Sequence, residues 1–436
     1  MILLLTYSNV RLGLSVGTSK GQLLSLSQPS SLQDTSLVNY RHGNDRYACH
    51  SNVFRQVWEQ NYEHFKRNEP ILTSLVRFAN ETHVLIAVGK NVKDYLSWAN
   101  ADWYCNQQKV EIVEKDGRTW SPATIRLICP FDKDPLHTVM VETGLPTTTT
   151  TTATRIIYNT TLQWNCESNF PINLPSNIKF AACAKYRTEP GVSLRMLREW
   201  MAYHTLLGVQ HFILYINEPM NDDNSTLLLL PQSTHITYIP YDFQTGQPRI
   251  RNYFMRTQIN DCISRARQWG IEWLALMDVD EYFQVLDTVS LKTEAPLLTF
   301  LQQRNSNLQF YNVFFGKHPT KETLPSIIKN QTNTNDHLLI DYVWRKKSHS
   351  GDRFRNKVIV KPKETHYVLL HWITNPTNSV YLPNIYTEAR MNHYKCAEDG
   401  PKLERYETNL DIVKDTSLRD QYRDKVVTKM KDFGWW

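Results

Sequence analysis

No stretch of this 436-residue chain approaches the roughly 20 apolar residues needed to span a bilayer. The opening Met1-Ile2-Leu3-Leu4-Leu5 meets Arg11 within a few positions. The expectation is therefore one of two things: a chain whose membrane anchor is missing from this sequence, or a signal-like segment over Met1 to Leu14 without a basic flank. Strong charge is lacking too. The 49 Lys plus Arg against 43 Asp plus Glu leave +6, too dispersed to make nucleic acid the partner, though a small anionic ligand stays open. Cysteines are few. Cys49, Cys105, Cys129, Cys166, Cys183, Cys262 and Cys396 contain no C-x-x-C pair, which excludes the usual zinc spacing and leaves structural disulfides plus one thiol. Acceptor patterns for N-glycosylation at Asn80, Asn159, Asn224 and Asn330 agree with a secretory setting without requiring one.

What is present is apolar mass and aromatic rings. A hydrophobic share of 41% over this length supports two or three globular domains. The 12 Trp and 22 Tyr can fill cores or stack on sugars. Residues 1–45 are rich in Ser, Leu and Gln without periodicity and read as a flexible stem. Residues 46–175 carry short β-type runs, such as His83 to Val88 and Thr124 to Cys129, and read as a small β-rich domain; Thr147 to Thr152 reads as an exposed loop.

From residue 176 to 436 the pattern becomes α/β. Lys179 to Ala184 reads as a buried strand. A helix follows, with Ser193 as N-cap, Leu194, Leu197, Met201 and Leu207 at helical spacing, and Gly208 as its stop; His211 to Ile216 is the next strand. Ile236 to Ile239, a helix over about 252–269 ended by Gly270, and Trp273 to Met277 repeat the unit. Strand, helix, strand in this order predicts right-handed crossovers in a mostly parallel sheet flanked by helices, with ligands beyond the carboxyl ends of the strands.

Asp278, Val279, Asp280 and Glu281 fall at such an end. Were the segment extended, both aspartates would face one side, roughly 6–7 Å apart along the chain. That suits Mn²⁺ or Mg²⁺, which take few carboxylates together with phosphate oxygens and water. Acidic residues at strand ends also serve simply to solvate turns and cap helices. Downstream, residues 345–363 hold Arg345, Lys346, Lys347, Arg353, Arg355, Lys357, Lys361 and Lys363 against Asp352 alone. They form either a clamp for a diphosphate or a solvated basic face. His366, His371 and His393 are further ligand or acid–base candidates.

Four motifs in order resemble glycosyltransferase family 92 over roughly Lys179 to Lys395: Leu197 to Phe212; Asn260-Asp261-Cys262; Trp273 to Phe283; and Lys357 to Pro362 with His371 and Asn392-His393-Tyr394. The resemblance implies a GT-A-like fold and a Golgi enzyme with one N-terminal membrane anchor. It implies transfer of galactose from UDP-galactose to a glycan or glycoprotein acceptor, with inversion to a β linkage. It also implies Asp278, Asp280 and His393 as metal ligands, and Lys185, Glu189 and Asn217 near the nucleotide. The chain departs from the family in having no obvious anchor and in an insert-like stretch around Thr320 to Asp341. Inversion needs a carboxylate to accept the acceptor's proton, for which Glu281 and Asp352 are the candidates. Two rival readings are a metal-dependent phosphoester hydrolase, which commonly wants more ligands, and a glycan-binding or adhesion protein with a degenerate site.

Overall fold

The structure is a computed structural model. It describes the backbone of eight strands between residues 71 and 163, and then residues 177–186, 193–216, 235–240, 255–316, 338–349, 355–365, 367–369, 371–373, 379–394 and 412–436. The expected stem, the threonine tract, Glu189, Asn217, Asp352 and His366 lie outside the described residues.

Antiparallel strands make up the first part. β1 (Ile71–Arg77), β2 (Glu81–Val88), β3 (Asp102–Cys105), β4 (Gln108–Val110), β5 (Ile112–Lys115), β6 (Ala123–Pro130), β7 (Leu136–Leu145) and β8 (Thr154–Gln163) form two four-stranded sheets, ordered β1-β2-β6-β5 and β4-β3-β7-β8. β2 and β6 contain the two β-type runs legible in the sequence.

The second part is α/β. Its elements are β9 (Phe180–Tyr186), α1 (Leu194–Leu206), β10 (His211–Ile216), β11 (Ile236–Pro240), α2 (Met255–Gln268), β12 (Trp273–Leu276), β13 (Glu281–Val285), α3 (Pro296–Arg304), β14 (Leu308–Phe310) and β15 (Asn312–Gly316). They are followed by β16 (Trp344–Lys346), β17 (Lys357–Val360), β18 (Val368–Leu369), β19 (Trp372–Ile373), β20 (Ala389–His393), β21 (Ile412–Lys414) and α4 (Ser417–Asp432). The main sheet is ordered β11-β10-β9-β12-β17-β14; β11, β10, β9 and β12 pair in parallel, β17 is antiparallel to β12, and β14, antiparallel to β17, runs with the first four again. The mostly parallel expectation holds, with β17 the strand of this six-stranded sheet that runs the other way. β14 follows α3 and returns in the common direction.

The alternation of strand side chains explains the layers. Phe180, Ala182, Ala184, Phe212, Leu214 and Ala275 point to the face covered by Leu197, Trp200 and Met201 of α1. Ala181, Cys183, Ile213, Tyr215 and Leu274 point to the face covered by Cys262, Ile263 and Ala266 of α2. A disulfide between Cys183 and Cys262 ties β9 to α2, with Cα atoms 6.7 Å apart. A second sheet, β13-β20-β15-β16-β21, was not legible in the sequence. α4 packs on α1, bringing Tyr422 edge-on to Tyr203 at 5.2 Å. No described helix is long and apolar enough to cross a membrane.

α1 starts where Ser193 Oγ accepts from the Met196 amide at 3.3 Å, as the sequence signalled. It ends at Gly208, whose φ of 104° favours glycine. The carbonyl of Leu207 then accepts from the amides of Leu297 and Leu298 at the start of α3, whose own N-cap, Ala295, offers no side-chain oxygen. This docking leaves no room at Gly208, where a Cβ would lie 2.8 Å from Ala295 Cβ and 2.9 Å from Leu298 Cβ. Gly270, at φ 70°, has nothing within 4 Å. Gly208→Ala is therefore expected to cost more than Gly270→Ala, which carries only the backbone penalty of about 1–2 kcal/mol. Urea unfolding of the two variants side by side measures the difference, and equal losses would remove the steric argument.

Candidate functional site

β12 ends at Leu276, and its carboxyl end feeds the acidic cluster. Residues 278–281 close a turn in which the Glu281 amide donates to the Asp278 carbonyl at 3.2 Å. The extended geometry expected for Asp278-Val279-Asp280 is replaced by this turn because Glu281 must reverse into β13. Its side chain reaches back to accept from the Asp278 amide, Oε2 to N 2.8 Å. Two outside donors fix the turn's carbonyls. The Tyr394 amide donates to the Asp280 carbonyl at 2.9 Å, and the indole Nε1 of Trp200 on α1 donates to the Glu281 carbonyl at 3.0 Å.

Into this turn comes Lys357 from β17. Its Nζ lies 2.6 Å from Asp278 Oδ2 and 3.1 Å from Glu281 Oε2. The side chains of Lys357 and Glu281 are 5% and 1% exposed, so the ammonium is an internal counter-ion. Lys357 was expected to clamp a diphosphate, but its charge is held by carboxylates already there. Burial drives the Glu281 carboxyl up to about 7, against the opposing pull of Lys357. Burial also disfavours the charge on Asp278, yet Lys357 outweighs it and holds that carboxyl below its ordinary value.

His393 arrives from β20, opposite Glu281 in the antiparallel β13–β20 ladder. Its Nε2 is 3.4 Å from Asp280 Oδ2 and its Nδ1 is 3.6 Å from Glu281 Oε1. Burial disfavours a charged ring, but Asp280 and then Glu281 raise its pKa. His371 sits behind Lys357, with Nδ1 2.9 Å from the Asn356 carbonyl. Burial, assisted by Lys357, lowers His371 to about 4, so it is neutral near pH 7.

Of the expected site residues, then, Asp278, Asp280, Glu281, Lys357 and His393 converge. Lys185 is placed at the carboxyl end of β9, two residues past Cys183, whose carbonyl accepts from Met277 just before the cluster. Lys361 does not join them. It follows β17 at the far end, with Nζ over the Trp273 ring at 5.0 Å and bonded to Asn305 Oδ1. Four extended residues put roughly 13 Å between it and Lys357. The basic stretch disperses likewise, since Arg345 binds Asp415 at 2.6 Å. Glu281 is also placed otherwise than a proton acceptor requires, because its side chain is sealed and turned toward Lys357 and the Asp278 amide.

Asn312 was missed. It is fully buried on β15, and its Nδ2 stands 2.8 Å from His393 Nδ1 and 3.2 Å from the Arg355 carbonyl. Trp200 was seen only as part of a motif. No local signal separates a buried asparagine that orients a histidine from any polar residue heading a strand.

Among the described residues no group of three or more His, Cys, Asp or Glu is gathered closely enough to hold a metal by itself. The donor chemistry still fits a divalent ion of the Mg²⁺ or Mn²⁺ kind, which takes one or two carboxylates and completes its shell with phosphate oxygens and water. Asp278 and Asp280, at 36% and 16% side-chain exposure, are the carboxylates of the cluster that face outward. His393 presents Nε2 toward Asp280 and Nδ1 toward Asn312 Nδ2.

A sequence profile described as glycosyltransferase family 92 matches residues 178–433. No curated protein matches. Among solved structures, the crystal structure of S. aureus TarS 1-349 is similar at 12% identity and a TM-score of 0.25, covering 49% of this chain and 60% of that one.

Removing the internal cation strands a sealed carboxylate. Lys357→Met is expected to lower stability by about 3–5 kcal/mol in urea unfolding; a loss below about 1 kcal/mol would mean the pair is not sealed. The pH profile gives a second check. A carboxyl raised on folding contributes stability that is full below its unfolded value and is lost as pH rises through its folded value. For Glu281 that window runs from 4.5 to about 7. Glu281→Gln should therefore flatten the fall in stability between about pH 5 and pH 8, by on the order of 1–3 kcal/mol across the range.

Proposed function

The chain belongs to glycosyltransferase family 92, and we propose that it transfers a hexose from a nucleotide-sugar to a glycan hydroxyl with the help of a divalent ion held by Asp278 and Asp280. The observation that carries this reading is the placing of two outward-facing carboxylates in a braced turn at the carboxyl end of a central parallel strand, where open α/β sheets bind ligands. The finer reading is galactose from UDP-galactose, an inverted centre and a β linkage, on a GT-A-like arrangement of the main sheet. A lumenal Golgi setting with a membrane anchor belongs to the same reading.

A bound ion would offset the charge that develops on the departing diphosphate. The chain's own residues do the rest. Lys357 cancels part of the repulsion between Asp278 and Glu281, so that the turn keeps its shape when the site is empty of ligand. Glu281, sealed below the turn, is a positioning residue: it fixes Lys357 and the Asp278 amide. His393 directs its Nε2 at Asp280. Lys185, at the carboxyl end of β9, is suited to an anionic donor, and Glu189 and Asn217, which follow β9 and β10 in the sequence, belong to the same reading. The acceptor hydroxyl's proton is assigned to Asp352.

The test is turnover of a panel of UDP- and GDP-sugars, with acceptor glycans supplied, with and without Mn²⁺. Manganese-dependent use of UDP-galactose, reduced at least about a hundredfold in Asp280→Asn by loss of a ligand to the ion, is the expected result. Turnover that ignores both metal and substitution would overturn the metal assignment. Carbohydrate binding without turnover of any donor would favour a binding protein instead.

A further inference from the structure

His393 has two nitrogens and two different neighbours, and the choice between them decides what the ring can do. On one side is Asp280 Oδ2, 3.4 Å from Nε2. On the other is Asn312, whose Nδ2 is 2.8 Å from Nδ1. A neutral imidazole carries one proton, and the nitrogen that accepts a hydrogen bond is the one without it. Asn312 offers only N–H at this contact. It is held so because the same Nδ2 also donates to the Arg355 carbonyl at 3.2 Å, two residues before Lys357. With both hydrogens engaged and the residue fully buried, the amide has a defined orientation.

We propose that Asn312 is the positioning residue that sets the tautomer of His393, holding its proton on Nε2 toward Asp280 and so making the ring a partner of that carboxylate rather than a ligand of the ion. The placement on the fold supports this. Asn312 opens β15, which pairs parallel with β20, so that Phe314 stands beside His393 while Asn312 stands beside Met391. The amide thus reaches the ring from a neighbouring strand and ties it to the strand that delivers Lys357. Nearby, Glu281 Oε1 is buried without a hydrogen-bond partner and lies 3.6 Å from Nδ1. It is the acceptor that an Nδ1 proton would find if Asn312 were changed. The inference rests on Asp280 being an ion-holding carboxylate for its purpose, though not for its test.

The test uses the full chain labelled with ¹⁵N-histidine, free of metal and donor, with the His393 signal identified by its loss in His393→Asn. At a pH above the ring's raised pKa, where the imidazole is neutral, long-range proton–nitrogen spectra are expected to show the Nε2–H form in the wild-type chain. In Asn312→Asp a carboxylate replaces the donor, and the proton is expected on Nδ1. A wild-type ring already in the Nδ1–H form overturns the proposal without any variant having to fold, as does an Asn312→Asp spectrum identical to wild type. A second readout follows Mn²⁺ by electron paramagnetic resonance. Directly coordinated imidazole nitrogen should be absent in the wild type and present in Asn312→Asp, with binding about tenfold tighter; coordinated imidazole in the wild type overturns the assignment. Neither readout involves sugar transfer. Failure here leaves the transferase reading standing, and an inactive chain leaves this inference standing.

Discussion

One ammonium group holds the site together. Lys357 enters between Asp278 and Glu281 from a strand that pairs with β12 but comes some eighty residues later in the chain. Without it, two carboxylates three residues apart in a tight turn would face each other in a buried place. With it, one is held ionised and outward while the other is kept as an inner brace. The reversed direction of β17 in the main sheet follows from this need. A parallel strand entering here would need a crossover and would present its carboxyl end, whereas β17 runs the other way and delivers its first residue to the site.

The aromatic and amide groups around the turn serve the same end. Trp200 and the Tyr394 amide take up the carbonyls of Glu281 and Asp280, so the turn owes its shape to partners on α1 and after β20 rather than to its own sequence. The second sheet carries two of the members, with Glu281 at the start of β13 and His393 at the end of β20. The candidate site is the place where two sheets meet, the main sheet supplying Lys357 and the strand that leads into Asp278 and Asp280, the second supplying Glu281 and His393.

Much of the fold was legible because its signals are local. Strand β10 is the clearest case: after His211, five apolar or aromatic residues stand between Gly208 and the polar Asn217-Glu218. α1 and α2 follow from spacing and from the glycines that end them. Asp278 and Asp280 were legible from their position after an apolar strand. What could not be read was long-range. Nothing near Lys361 distinguishes it from Lys357; only the register of β17 sends one into the site and the other to the far edge, over Trp273. The same holds for Glu281, which looks like any acidic residue next to a metal motif until its burial is known. Asn312 has no sequence signature at all, because its importance lies in two hydrogen bonds to residues 43 and 81 positions away.

α1 carries two adjacent residues with separate tasks. Trp200 bonds the turn of the site, while the carboxylate of Glu199 accepts from the amides of Leu339 and Ile340 at 2.8 and 3.3 Å, pinning the segment that returns to the second sheet. Neighbours on a helix point about 100° apart, so both bonds survive only at one rotation of α1 about its axis. A one-residue slip of α1 would release both anchors together, so the helix behaves as a keyed shaft with a single permitted setting.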